Sequence, residues 1–211
     1  MHDRTRAATV FAVVMFLLTA IIGGGILVQG GVQRLAAPKD LQGEPVQLQD
    51  GDLPSGAVVR RMHVVAAAGI RFRVPSVGLD VGVGELSEID GEITPPGFKE
   101  VYLVRNRGVG LAQAETGTVY VVTHSVRPGA APGNSLIDVA DGRSALSAGA
   151  KILVGDRAYT VTRAFTVEKT ALASTADIWT DQPGRLVVVT CLQREQGRSL
   201  QNSVITAQLD R

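Results

Sequence analysis

The sequence has a single cysteine, Cys191, so no internal disulfide can brace the chain. Aromatic residues make up only 4% of its 211 residues, and no charge of either sign dominates: 21 Lys and Arg stand against 20 Asp and Glu, scattered along the chain. That balance gives neither the basic stripe that a phosphate backbone selects nor an acidic tail, so no nucleic-acid partner is expected. Metal-ligand spacing is missing too. One Cys and three His, with no HExxH, CxxC or carboxylate cluster, fall short of the three or four protein ligands that zinc takes, so no metal site is expected. The glycines of "GLDVGVGE" lack the following Lys-Ser/Thr or amphipathic helix of a phosphate cradle, and no cofactor is indicated. Internal repeats, coiled-coil heptads and lipidation motifs are likewise absent from the sequence.

One long apolar run is present. "AATVFAVVMFLLTAIIGGGILV", Ala7 to Val28, carries no charge. As a helix rising 1.5 Å per residue it would reach about 33 Å, enough to cross a bilayer. Arg4 and Arg6 precede it, which by the positive-inside rule leaves the N-terminus in the cytoplasm and the rest of the chain outside. A cleaved signal peptide is the competing reading, with "RLAAPKD" offering small residues, but the run exceeds the roughly 7 to 15 residues of a signal core. The expectation is therefore a cytoplasmic N-terminus at 1–6, a single membrane anchor at 7–28, a stalk at 29–57 and an extracytoplasmic domain at 58–211. The stalk reading rests on "GEPVQLQDGDLPSG", which mixes Gly, Pro, Asp and Gln without apolar periodicity.

Beyond the stalk, the pattern is all-β. Ile70, Phe72 and Val74 alternate up to Pro75, and Leu79, Val81 and Val83 follow as a second short run. "GTVYVVTH" alternates Val119 and Val121 against Tyr120 and Val122, and ends at His124. "KILVGDRAYTVTRAFTV" reads as a hairpin turning at Gly155-Asp156, and "LIDVADGRSAL" as one or two short helical turns. "RLVVVT" suits a central strand buried on both faces, with "SVITAQL" as its closing partner. About eight short strands with turn punctuation predict a closed or nearly closed β-barrel, which removes exposed edges.

Cys191 ends the core strand and His124 ends another, where strand ends open into loops that commonly carry sites. A thiolate is a nucleophile and an imidazole is the usual proton-transfer partner, so the pair suits nucleophilic catalysis. The alternatives are a buried structural thiol and a surface-loop histidine. His2 falls before the apolar run and His63 in the ragged start of the domain, and neither is a candidate.

In chain order, "FRVPSVGLDVGV", "GTVYVVTHS", "LSAGAKILVGDRAYTVTRAFTV" and "VVVTC" resemble the opening strand and Pro turn, the histidine strand, the L-x-x-G-D-x-I hairpin and the T-L-x-T-C strand of the sortases. These are membrane-anchored cysteine transpeptidases of Gram-positive cell walls, and the likeness is to actinobacterial class E/F members. It covers about 140 residues. The resemblance implies an eight-stranded barrel in which Cys191 attacks the carbonyl after threonine in a sorting signal of LPxTG or LAxTG type, and His124 protonates the leaving amine. The partners implied are secreted proteins bearing that signal, an amine acceptor from a cell-wall precursor or pilin, and the membrane through the N-terminal helix. Thr190 and Thr123, flanking the two catalytic positions, are expected beside the substrate.

The sequence departs from the family pattern at three places. Thr123 stands where Gly usually precedes the histidine, and Val187 and Val188 replace the Thr and Leu of the cysteine strand. The family's third catalytic residue, an arginine opening the last strand, falls on Asn202 if Ala207 matches the strand alanine. An amide can donate hydrogen bonds to an oxyanion but lacks the charge and fork of a guanidinium. Arg198, four residues upstream, is the rival for that role, while Arg194 lies on the outer arm of the loop. Two other functions fit less well: a non-catalytic binding module on the same barrel, and an L,D-transpeptidase, whose S-x-G-C-x-R signature "VVVTCLQ" does not match.

Overall fold

The computed structural model of the protein describes residues 37–48 and 52–211. The expected N-terminus at 1–6, the anchor at 7–28 and most of the stalk lie outside the described residues. Among the described residues no helix is long and apolar enough to cross a membrane.

Among the described residues ten strands form: β1 (Val65–Val74), β2 (Leu79–Leu86), β3 (Val101–Val104), β4 (Thr118–Val122), β5 (Ile137–Asp138), β6 (Arg143–Ser144), β7 (Lys151–Val154), β8 (Arg157–Glu168), β9 (Arg185–Leu192) and β10 (Gln201–Leu209). Eight close into a barrel in the order β1-β2-β3-β4-β9-β10-β8-β7. The β2–β3 and β4–β9 pairs are parallel, and the other pairs in the barrel are antiparallel. Pairing in a closed ring leaves no strand edge unpaired, as the alternating apolar runs require.

The period of two sorts the strand residues onto two faces. Phe72, Val81, Val121, Ile152, Tyr159, Val188 and Ile205 meet in one buried cluster drawn from the strands all round the ring, which is the barrel interior. Tyr120, Val122, Val187, Val189 and Val204 point the other way and pack a second cluster against Met62 and Ile178. Met62 ends helix α1 (Gly56–Met62), capped by the Ser55 hydroxyl, and Ile178 lies in the short helix α2 (Ala176–Trp179). The strand β9, expected to be buried on both faces, is buried throughout except at Cys191.

The β7–β8 hairpin turns at Gly155-Asp156, with Val154 opposite Arg157. Gly155 takes the left-handed conformation (φ +60°) that a tight two-residue turn demands. Later in β8 a register shift opposite Thr206 and Ala207 changes which face the odd-numbered residues occupy: Tyr159 and Val161 belong to the interior, Phe165 and Val167 to the outer cluster.

Two regions differ from the sequence reading. "LIDVADGRSAL" is not helical beyond its first residue: a 3-10 turn at Pro132–Leu136 ends there, and then β5 pairs with β6. The Asp138 carboxylate accepts the Asp141 amide, which folds the turn locally and favours a small hairpin over helix. The stalk boundary at 57 also moves. The compact unit runs from Lys39 to Arg211. Asp40 is buried and accepts hydrogen bonds from the amides of Gln42, Glu44 and Ala130, while Val46 packs with Phe98, Val126 and Ala131. A Pro/Gly-rich composition suggested a linker, but side-chain-to-backbone bonds fix this stretch to the barrel. Burial pushes the Asp40 carboxyl upward, yet the amides of Ala130, Glu44, Gln42 and Gly43 outweigh it and hold the group below its ordinary value.

Candidate active site

Three strand ends carry the site. In the parallel β4–β9 pair Val122 lies opposite Val189, and Thr123 N continues the ladder to Val189 O at 3.1 Å. Carried two residues on, that register sets His124 beside Cys191. On the other side of β9, Asn202 of β10 is the direct partner of Cys191. His124, Cys191 and Asn202 therefore form a row across three adjacent strands, each strand about 4.8 Å from the next. By alternation all three share the face of Tyr120, Val187 and Val204, outside the barrel interior.

Loop bonds hold the row together beyond the regular pairing. Ser125 donates its hydroxyl to Cys191 O at 2.5 Å, and Gln193 donates its side-chain amide to Ser125 O at 2.8 Å. The chain after His124 then folds back, so that Gly133 N donates to His124 O at 2.8 Å. Asn134 organises this loop by accepting from the amides of Val126 and Ala131 and donating to Val126 O.

His124 is 8% exposed. Its ring stacks on Phe98 with centroids 4.4 Å apart, and Nε2 lies 2.8 Å from Pro95 O. A carbonyl only accepts, so in the neutral ring the proton sits on Nε2 and the lone pair on Nδ1. Burial pushes the imidazole below its ordinary value; the Pro95 carbonyl and Asp52 oppose this, and the Lys169 charge adds to it. At neutral pH the ring is therefore uncharged. Its free Nδ1 is a base first, and it becomes a general acid only after taking up a second proton.

Cys191 is partly exposed. A cavity of about 560 Å³ opens on it, on His124 and on Asn202. Its apolar walls come from Ile93, Val122, Leu172 and Trp179. A polar assembly also lines it: the Arg107 guanidinium lies 4.5 Å over the Trp179 ring and forks onto the Glu88 carboxylate, and Trp179 donates its indole N–H to Leu172 O at 2.7 Å. Thr123 and Thr190 also border this cavity, but their parity places them on the opposite face from the row. Thr123 donates its hydroxyl to Glu100 O, while the buried Thr190 hydroxyl, directly across from Ser203, has no partner among the described residues.

Both candidates for the third position are near the cysteine, on different sides. Asn202 is buried in the first cavity, whereas Arg198 lines a second one of about 300 Å³ that also touches Cys191 and His124. Arg194 lines neither; its carbonyl accepts from Arg127. Sequence reasoning missed Pro95, Phe98, Ser125, Gln193, Lys169 and the Arg107–Trp179 assembly. Only "TPPGF" offered a signal, an isolated aromatic in a turn-rich stretch. Among the described residues no group of three or more His, Cys, Asp or Glu could hold a metal ion.

The solved structures that the chain is similar to are sortases. Sortase A of Listeria monocytogenes shares 18% identity over 70% of this chain and 88% of its own, with a TM-score of 0.48. A sortase D5 transpeptidase of Clostridium perfringens shares 14% over 67% and 78%, and sortase C-1 of Actinomyces oris 13% over 67% and 73%, both with a TM-score of 0.46. No family model matches the chain, and no curated protein matches it in sequence. At these identities and scores the chemistry has to be read from the residues themselves.

Proposed function

We propose that the protein is a sortase-type cysteine transpeptidase, and the row His124–Cys191–Asn202 at the head of an apolar cavity is the observation that carries this reading. Neutral His124 takes the Cys191 proton as the sulfur attacks a peptide carbonyl carbon. The Asn202 side chain lines the same cavity, and its amide donates to the oxyanion that forms. Collapse of the intermediate breaks the C–N bond; His124 returns the proton to the leaving amine, and the acyl group remains as a thioester. An incoming amine then forms a new C–N bond, breaks the C–S bond and gives its proton to the imidazole, which restores the thiol.

The apolar walls suit the small apolar side chains of an LPxTG- or LAxTG-type signal. The actinobacterial class E/F likeness, the anchor at 7–28 and a catalytic domain outside the membrane belong to the same proposal. Incubating the protein with such peptides and an amine acceptor should give a Cys191 adduct of acyl mass, absent in Cys191→Ala. A folded protein that forms no adduct with any of these peptides would leave the non-catalytic binding module as the better reading.

A further inference from the structure

The ladder between β4 and β9 stops just short of the two side chains that the proposed reaction uses. Thr123 N donates to Val189 O at 3.1 Å, and in a parallel pair the same rung recurs two residues on, where Ser125 N would meet Cys191 O. By then β4 has ended at Val122, and the chain is leaving the sheet for the loop that returns to set Gly133 N on His124 O. The Ser125 hydroxyl takes the place of that rung and donates to Cys191 O at 2.5 Å. Gln193, just past the end of β9, reciprocates: its side-chain amide donates to Ser125 O at 2.8 Å and to Ser125 Oγ at 3.1 Å. Side chains thus carry the pairing on, in both directions, where the backbone ladder stops. Ser125 is buried, so water competes little for these bonds.

Proton transfer from the thiol to the imidazole needs heavy atoms about 2.6–3.2 Å apart, and slack of roughly 1 Å between the two strand ends is enough to lose most of it. The Phe98 stack and the Pro95 carbonyl hold the His124 ring from the loop before β3, but they make no tie to β9. We propose that Ser125 and Gln193 are positioning residues, a two-way latch that keeps the His124 imidazole within reach of the Cys191 sulfur. Neither lines the larger cavity, so neither is placed to touch an acyl chain bound there. The proposal takes the pairing of His124 with Cys191 from the transpeptidase reading and adds what holds that pair together.

The latch is read by alkylating Cys191 in the full chain with iodoacetamide at neutral pH, a reaction that needs no peptide substrate. Ser125→Ala should slow alkylation about tenfold, and Gln193→Leu, which keeps the bulk but cannot donate, about threefold, because His124 is no longer placed to take the thiol proton. His124→Gln should slow it at least as much as Ser125→Ala. Adding Ser125→Ala or Gln193→Leu to His124→Gln should then change the rate by less than about twofold, since no imidazole remains to be held. A role confined to stability slows alkylation equally with and without the imidazole, and that result overturns the proposal. Either latch variant, folded and reacting at the native rate, overturns it too, as does a His124→Gln chain as fast as the native one. If loss of the buried Ser125 hydroxyl prevents folding, the half-buried Gln193 carries the same cycle. When the cycle behaves as expected but no sorting-type peptide acylates Cys191, the transpeptidase reading fails while the latch stands; normal acylation with independent effects of the variants is the failure of this proposal alone.

Discussion

Asn202 and Arg198, the two candidates for the third position of the proposed site, flank Cys191 from different cavities. If Asn202 donates to the oxyanion, Asn202→Ala should lower the acylation rate constant roughly 100-fold to 1000-fold with little change in KM, as loss of one such donor does elsewhere. Arg198→Ala should leave acylation within a few fold; single-turnover kinetics with a sorting-type peptide would separate the two, and the reverse pattern would return the role to Arg198. His124 carries a second expectation. Its folded pKa lies below its ordinary value because of burial, so at mildly acid pH the unfolded chain binds the proton more readily than the folded one. Its contribution to stability is complete above the ordinary histidine value of about 6.5 and is lost as pH falls from there through the lowered folded value. Urea midpoints measured from pH 8 to pH 5 should fall in the native protein, and His124→Gln should flatten that part of the profile.

Between residue and barrel, the loop after β4 decides whether the row can form. Its return past the site depends on Gly133, where an added Cβ would stand 2.1 Å from Thr190 Oγ1 and 2.6 Å from His124 O. Gly133→Ala should therefore cost about 1–3 kcal/mol, the usual penalty of overpacking, and should reduce Cys191 acylation with it. Adding Thr190→Ala removes only the hydroxyl from the clash, so partial recovery is expected; full recovery in a melting experiment would mean that the His124 carbonyl does not constrain the loop. This loop also marks where the sequence stops being legible. The runs around Phe72, Val121 and Ile152 announced their strands because alternation records which face is buried, and the run around Val188 did so by its unbroken apolar character. Cys191 and His124 were visible as residues ending such runs. The β5–β6 pair was not, since two-residue strands have no period, and β3 escaped because "VYLV" is a run of only four residues. Pro95 and Phe98 approach His124 from 26 to 29 residues away through contacts that no local pattern encodes.

At the scale of the whole unit, the segment from Lys39 to Val46 is joined to the site it precedes. Asp40 accepts from Ala130 N at 2.8 Å, Leu41 N donates to Ala130 O at 2.8 Å, and Val46 packs on Phe98, the ring stacked against His124. A chain begun at residue 58, the boundary suggested by composition, keeps every barrel strand but uncovers Phe98, Val126 and Ala131 and leaves the Ala130 amide without its carboxylate. Beginning at residue 37 should preserve these contacts. Asp40→Asn keeps the shape while removing the charge, and with hydrogen bonds to charged groups contributing about 1.5–3 kcal/mol each, the variant should lose stability on the order of a few kcal/mol at neutral pH. The sign with pH follows from the lowered carboxyl: the contribution is complete above the ordinary aspartate value of about 3.9 and is lost as pH falls through the lower folded value, so the native protein and Asp40→Asn should converge in acid. Because Val46 reaches His124 only through Phe98, the chain starting at 58 should also acylate more slowly than the one starting at 37, even at temperatures where both are folded. Equal rates with unequal melting temperatures would reduce the segment to a stabilising strap with no hold on the His124 ring.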